Sequence, residues 1–332
     1  MKKKVLLFLL AFFSFIQLFC ISGRIGYAEE KTVYLGGMPA GFDIETRGAL
    51  VVGLSDVITK DGIISPAKNA GLDRGDILLY INGKEINCAD DVERLLLLTS
   101  GEIEITFSRC NIKDNVKLTP ATDLSGIKKI GVLIKDSING IGTVTFIDDD
   151  NIATLGHPVL NEDGKPLELL RGNIYPCMVT GYIKGERGKA GELRGAILTN
   201  NKIATITKNT EYGVFGKLTK NFDRSKLKKI GIGNGKPGKA SIYTTIEGDT
   251  PQEYSISIIK ADSILSDTKN FVIKITDERL LNSTGGIIQG MSGSPIVQDG
   301  KLVGAVTHVF IIDPTRGFGI SINSMLNQSN YI

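Results

Sequence analysis

Ser292 stands in the run Gly290-Met291-Ser292-Gly293-Ser294-Pro295, a serine held between glycines just ahead of a short apolar strand. Glycine adopts backbone shapes that other residues resist and lets a second backbone come close. Acyl transfer needs that freedom: the hydroxyl must stand clear, and backbone N–H groups must point at the oxyanion that forms. A serine nucleophile also needs a base, usually histidine, and the base needs an acceptor that orients it. The chain has two histidines. His157 lies in Thr154-Leu155-Gly156-His157-Pro158, at a turn after an apolar strand, where rigid neighbours can present a functional side chain. His308 lies inside the run Val303 to Phe310 and reads as a packed residue, so position favours His157. The acceptor stays open among Asp163, Asp223, Asp249, Asp262, Asp267 and Asp277. Ser294 is the rival nucleophile; its structural role would be hydrogen bonding within the turn. Asp148, Asp149 and Asp150 read as a solvated hairpin turn, and no second carboxylate cluster has the spacing to hold a metal with them. No metal and no cofactor are expected.

The elements that must position these residues are mainly β. The 39 glycines, with many Val, Ile and Thr, favour strands joined by tight turns. From about Gly126 onward, short strands such as Gly142 to Phe146, Ser241 to Ile246 and Phe271 to Ile275 alternate with turn signals. That spacing predicts a β-sandwich or barrel, and about 200 residues suffice for two barrels. Asp299-Gly300 marks a hairpin turn directly after the serine run.

Residues 29–110 form a separate small domain. Ser65-Pro66-Ala67-Lys68-Asn69-Ala70-Gly71 has the punctuation of a short helix, with Ser65 as cap, Pro66 at the first position and Gly71 as stop. Asn82-Gly83 is a hairpin turn, Ala89 to Leu98 a second helix and Glu102 to Arg109 an alternating strand. The run from Ser65 to Gly83 resembles the PDZ domains of exported bacterial proteases. The resemblance implies that a peptide is held by backbone N–H groups of a glycine-containing loop, here Gly41, Phe42, Asp43 and Ile44. Residues 111–125 have no clear period and read as an edge strand and linker.

Residues 1–28 stand apart. Lys2, Lys3 and Lys4 precede the apolar run Val5 to Ser22, and Gly26-Tyr27-Ala28 offers small residues two apart. The run is about 27 Å long as a helix, enough for an export signal or a membrane anchor. Removing Lys2, Lys3, Lys4 and Arg24 from the 39 bases leaves 35 against 36 acids, a net of −1, so the formal +3 argues for no nucleic-acid partner. Beyond the leader, Cys88, Cys110 and Cys177 are odd in number and widely spaced, which suits neither a disulfide framework nor a zinc site.

The Gly-x-Ser-Gly-x-Pro pattern resembles the nucleophile turn of trypsin-like serine peptidases. The whole order, leader, PDZ domain and terminal peptidase domain over 126–332, resembles the stage IV sporulation protein B family, signalling serine peptidases of endospore-forming bacteria. The matching stretches include Gly140-Ile141-Gly142-Thr143, Leu155-Gly156-His157, Gly191-Glu192-Leu193-Arg194-Gly195, Gly213-Val214-Phe215-Gly216 and Gly304-Ala305-Val306-Thr307-His308. The resemblance implies a trypsin-like double β-barrel, His157 as base, Ser292 as nucleophile and Asp277 as the orienting acid. The backbone N–H groups of Gly290 and Ser292 are the candidates for the oxyanion hole. It also implies self-processing at the chain's own N-terminal segment and cleavage of a membrane-bound regulator of an intramembrane protease. That cleavage would take place between forespore and mother cell and activate a late sigma factor. One departure stands out: Gly317-Phe318-Gly319 is followed by Ile320-Ser321-Ile322-Asn323, where the better-known members carry His-Ile-Glu-Trp, as a paralogue with another target would. A peptide-binding scaffold without catalysis and a general envelope quality-control protease are the alternatives. A reporter fused after residue 40 is expected to be active outside the cytoplasm only; activity confined to the cytoplasm would refute the reading of Val5 to Ser22.

Overall fold

Two long strands, Pro39–Leu54 and Val132–Asp148, pair antiparallel along most of their length and form the ribbon from which the rest is built. The computed structural model describes residues 31–110, 112–161, 164–261 and 267–329. The leader, Asp163 and Asp262 lie outside the described residues.

The inner half of the ribbon belongs to a closed barrel. Val132–Asp148 pairs with Asn151–Thr154, which pairs with Gly213–Leu218, then Ala204–Thr210, then Arg171–Ile183, which returns to Pro39–Leu54. Phe42, Ile44, Val144, Ile152, Ile174 and Val214 fill it. A second ring closes in the same way through Gly238–Thr244, Gln252–Ala261, Phe271–Ile275, Asp313–Ser321, Lys301–Phe310 and Pro295–Gln298. Its core holds Ile242, Ile256, Ile273, Ile296 and Val306. Closure leaves each ring without a free edge among these strands. Phe146 and Phe215 from the first ring share a third apolar layer with Leu302, Ile320 and Met325. The expected double β-barrel is therefore present, and the Asp299-Gly300 turn has the positive φ values, +51° and +74°, that its residues predict.

The outer half of the ribbon carries the small module. Ala49 and Leu50 pair with Leu78 and Ile77, and Ala49, Leu78, Ile81, Val92, Leu95 and Ile105 share a core of their own. Helices Pro66–Asn69 and Ala89–Leu97 and strand Ile103–Arg109 fall where the sequence places them. Ser65 caps nothing; its hydroxyl donates to Asp56 instead. The edge-strand part of 111–125 is Ile112–Leu118, paired residue for residue with Ile103–Arg109, and Ala121–Thr122 then pairs with Lys128–Lys129. The module is thus sewn to the barrel by the ribbon, with no slack tether. Register shifts between Lys135 and Ser137 mark where the ribbon bends from one body into the other.

The same pairing corrects the expected peptide-binding loop. Gly41, Phe42, Asp43 and Ile44 are strand residues with a partner strand on each side: Ile141, Gly140, Asn139 and Ile138 on one, Tyr175, Ile174, Asn173 and Gly172 on the other. Flanked on both edges, this backbone cannot accept an added strand or a carboxylate. Glycine is needed at 41 for packing, because a Cβ there would lie 2.4 Å from the Ile197 side chain.

Among the described residues no helix is long and apolar enough to cross a membrane, no cluster of His, Cys, Asp or Glu is arranged to hold a metal, and no disulfide joins Cys88, Cys110 and Cys177. Gly41→Glu is expected to disrupt the first barrel by at least about 2 kcal/mol, through overpacking and an unpaired charge. The loss should appear as a lower unfolding midpoint in urea. A variant with wild-type stability would mean that the strand is not held as described.

Candidate active site

The serine turn is folded by its glycines and clamped by the other barrel. Gly290 and Gly293 have φ of +97° and +94°, which other residues adopt only under strain. A Cβ on Gly293 would lie 2.1 Å from the Thr143 carbonyl oxygen and 2.5 Å from the Leu155 nitrogen, so no side chain fits there. The Thr143 N–H donates to the Ser292 carbonyl at 2.9 Å, and the Thr143 hydroxyl donates to the Gly290 carbonyl at 2.9 Å. The Thr145 hydroxyl donates to the Gly293 carbonyl at 2.8 Å. Within its own barrel the turn is fixed by Gly293 N–H to Val306 O and Val306 N–H to Ser294 O, and Met291 is buried beneath it. Ser294 is fully buried and donates to Met291 O at 2.6 Å, so its hydroxyl is spent inside the turn.

The Ser292 hydroxyl donates to the Thr307 carbonyl at 2.7 Å. Among the described residues the Gly290 and Ser292 N–H groups donate to no backbone carbonyl.

His157 reaches the same cleft on a turn with two left-handed residues, Leu155 at φ +65° and Gly156 at φ +69°. That conformation costs a leucine on the order of 1–2 kcal/mol. Burial of the Leu155 side chain in the first-barrel core offsets it. The His157 Nδ1–H donates to Pro158 O at 2.8 Å, which leaves Nε2 with its lone pair, the state a general base requires. Burial lowers the His157 pKa, and the Pro158 carbonyl opposes that shift by holding the ring proton. The imidazole is neutral at neutral pH.

His308 is a cleft residue as well. Its ring lies 4.8 Å from that of His157, centroid to centroid, tilted by 37°. Burial lowers its pKa, and any charge on His157 and the Lys269 ammonium lower it further, since a charge on His308 would face them. Sequence reasoning treated His308 as packing and saw nothing in Thr143, Thr145, Pro158 or Thr307. The Thr143 and Thr145 hydroxyls act only once the two barrels meet, although two threonines two apart on a predicted strand do announce one shared face, while Pro158 and Thr307 act through backbone carbonyls inside their own barrels.

Asp277 is engaged elsewhere. It caps helix Glu278–Thr284, accepting from the Arg279 N–H at 3.0 Å, and its carboxylate also takes Arg279 Nε, Arg279 Nη2 and the Ser255 N–H. The Arg279 guanidinium in particular pulls its pKa down to about 2. Asp223 accepts from Ser225 and Asp249 from Thr250, both on exposed turns. Among the described residues no carboxylate lines the cleft that holds His157, Ser292, Thr307 and His308, about 680 Å³ in volume. The orienting acceptor is the Pro158 carbonyl, where the sequence reading expected the acid.

Two outcomes follow. The acid limb of kcat/KM should have its midpoint below 6.5, the usual imidazole value, because burial keeps His157 neutral to lower pH. Asp277→Asn should lower stability by about 1 kcal/mol through loss of the half-exposed ion pair, read as a drop in Tm, and leave kcat within about tenfold. A loss of kcat by about 10⁴ at unchanged Tm would place the carboxylate beside His157 after all.

A model of the SpoIVB peptidase S55 family matches residues 126–326. No curated protein matches the chain. Among solved structures, the thermostable serine protease AL20 from an extremophilic microorganism is 12% identical, covers 58% of this chain and 90% of its own, and has a TM-score of 0.35. The Rv3671c protease from M. tuberculosis in its active form is 13% identical over 57% of this chain and 73% of its own, with a TM-score of 0.33. The scabies mite inactivated protease paralogue S-D1 is 15% identical over 57% and 84%, with a TM-score of 0.32.

Proposed function

The chain belongs to the SpoIVB peptidase S55 family, and on that premise we propose that this serine peptidase is an endopeptidase in which Ser292 is the nucleophile and His157 the base. The observation that carries the reading is the cleft itself. A serine on a tight glycine turn and a neutral imidazole with a free Nε2 line one space, beside two N–H groups that have no backbone acceptor. Ser292 Oγ attacks the scissile carbonyl, and its proton passes to His157 Nε2. The Gly290 and Ser292 N–H groups receive the oxyanion. His157 then gives the proton to the leaving amine, and water repeats the sequence on the acyl-enzyme. The Pro158 carbonyl holds the ring orientation throughout.

The biological role extends the same proposal. The protein is made with the leader 1–28, which carries it across, or anchors it in, the forespore membrane. The small module, expected over residues 29–110 and built around Ala49, Leu78, Val92 and Ile105, is a PDZ domain that holds protein substrate or the chain's own N-terminal segment. The peptidase processes itself and cuts a membrane-bound regulator of an intramembrane protease, which activates a late sigma factor. Family membership, the Ser65 to Gly83 run and the apolar run Val5 to Ser22 support this reading.

Ser292→Ala or His157→Ala should lower the rate by roughly 10⁴ to 10⁶-fold, with the double variant little worse than either, because the two residues act as a unit. The measurement is mass spectrometry of every fragment after the purified chain is incubated alone and with the regulator. Wild-type self-cleavage in Ser292→Ala would end the catalytic reading. An intact regulator alongside normal self-cleavage would end the assigned target only.

A further inference from the structure

The walls of the cleft beside Ser292 are apolar on both barrels. Ile287 and Ile288 immediately precede the serine turn, and Val309 and Ile311 extend the strand whose Thr307 carbonyl holds the Ser292 hydroxyl. Phe42 and Ile141 face them from the first barrel. The polar side chains in the lining are His157, Ser292, Thr307, His308 and Gln289, and among the described residues no Asp, Glu, Lys or Arg lines it. The volume of about 680 Å³ is that of a site for several substrate residues. At its mouth Ile311 is 57% exposed and Leu160 45% exposed, apolar surface left facing water.

From this lining we infer that the peptidase selects an apolar side chain, aliphatic or aromatic, on the substrate residue whose carbonyl Ser292 attacks. The inference rests on the reading of Ser292 as nucleophile. The side chain of that residue must enter the space next to the serine turn, which is walled by Ile287, Ile288 and Val309. An apolar group entering there leaves water and meets the Ile287, Ile288 and Val309 side chains. A lysine or aspartate entering would lose its hydration and find no opposite charge. The same walls therefore attract one class of residue and reject the other.

The test uses the full chain and peptidyl diphenyl phosphonates that differ only at the residue presented to Ser292, with covalent labelling of Ser292 followed by mass spectrometry. Leu, Val and Phe probes should label at least tenfold faster than Lys or Asp probes. Ile311→Glu, on an exposed turn that tolerates charge, should reduce the Leu-to-Lys rate ratio at least fivefold. Labelling by the Lys or Asp probe as fast as by the Leu probe would overturn the inference. So would labelling by a small fluorophosphonate while no peptidyl probe reacts. If the fluorophosphonate itself leaves Ser292 untouched in the folded chain, the nucleophile assignment falls and this inference falls with it.

Discussion

The contact between Gly293 and the Thr143 carbonyl is the constraint on which the site depends. A backbone from the second barrel lies against a backbone from the first, closer than any side chain would allow. Three hydrogen bonds from Thr143 and Thr145 close the gap, each worth roughly 1 kcal/mol net. Their energy is modest beside that of the two cores; what they supply is position. They hold the carbonyls of Gly290, Ser292 and Gly293, and so fix the peptide planes before Met291 and on the C-terminal side of Ser292. The neighbouring Leu155, whose nitrogen touches the same glycine, carries the His157 turn. One contact thus ties the turn that carries Ser292 to the turn that carries His157, the residues proposed as nucleophile and base.

The electrostatics of the cleft follow from its walls. Apolar surroundings disfavour a charged imidazole, so burial holds His157 in the neutral form. In the proposed reaction the same surroundings would make the imidazolium costly. The Pro158 carbonyl, 2.8 Å from Nδ1, is the group placed to stabilise it. His308 at 4.8 Å contributes a second neutral ring and packing, since two charged imidazoles side by side would repel. A backbone carbonyl carries no formal charge, so it stabilises an imidazolium less than a carboxylate in the same place would.

The ribbon of Pro39–Leu54 and Val132–Asp148 gives the small module its relation to this site. Its inner half supplies Phe42 and Ile141 to the cleft wall and Thr143 to the clamp, while its outer half enters the core of the module. Module and cleft are therefore parts of one pair of strands.

The sequence by itself determined whatever depends on local conformation and periodicity. The glycine turn around Ser292, the turn that presents His157, the hairpins at Asn82-Gly83 and Asp299-Gly300, and the helices of the module follow from φ preferences and alternation within a few residues. The number and spacing of strands predicted a sandwich or a barrel, and the choice of two barrels came from the family resemblance. Tertiary structure alone decided which residues meet. Thr143 and Gly290 are 147 positions apart and touch only because both rings close. Asp277 looked available as an acid because a sequence does not show that Arg279, two residues on, would claim it at a helix start. Gly41 to Ile44 looked like a loop because a glycine required by a neighbouring side chain, Ile197, cannot be told in sequence from one required by a turn. Pro158 and Thr307 act through backbone carbonyls, which every residue has, so no residue type could have marked them; only the path of the chain through space did.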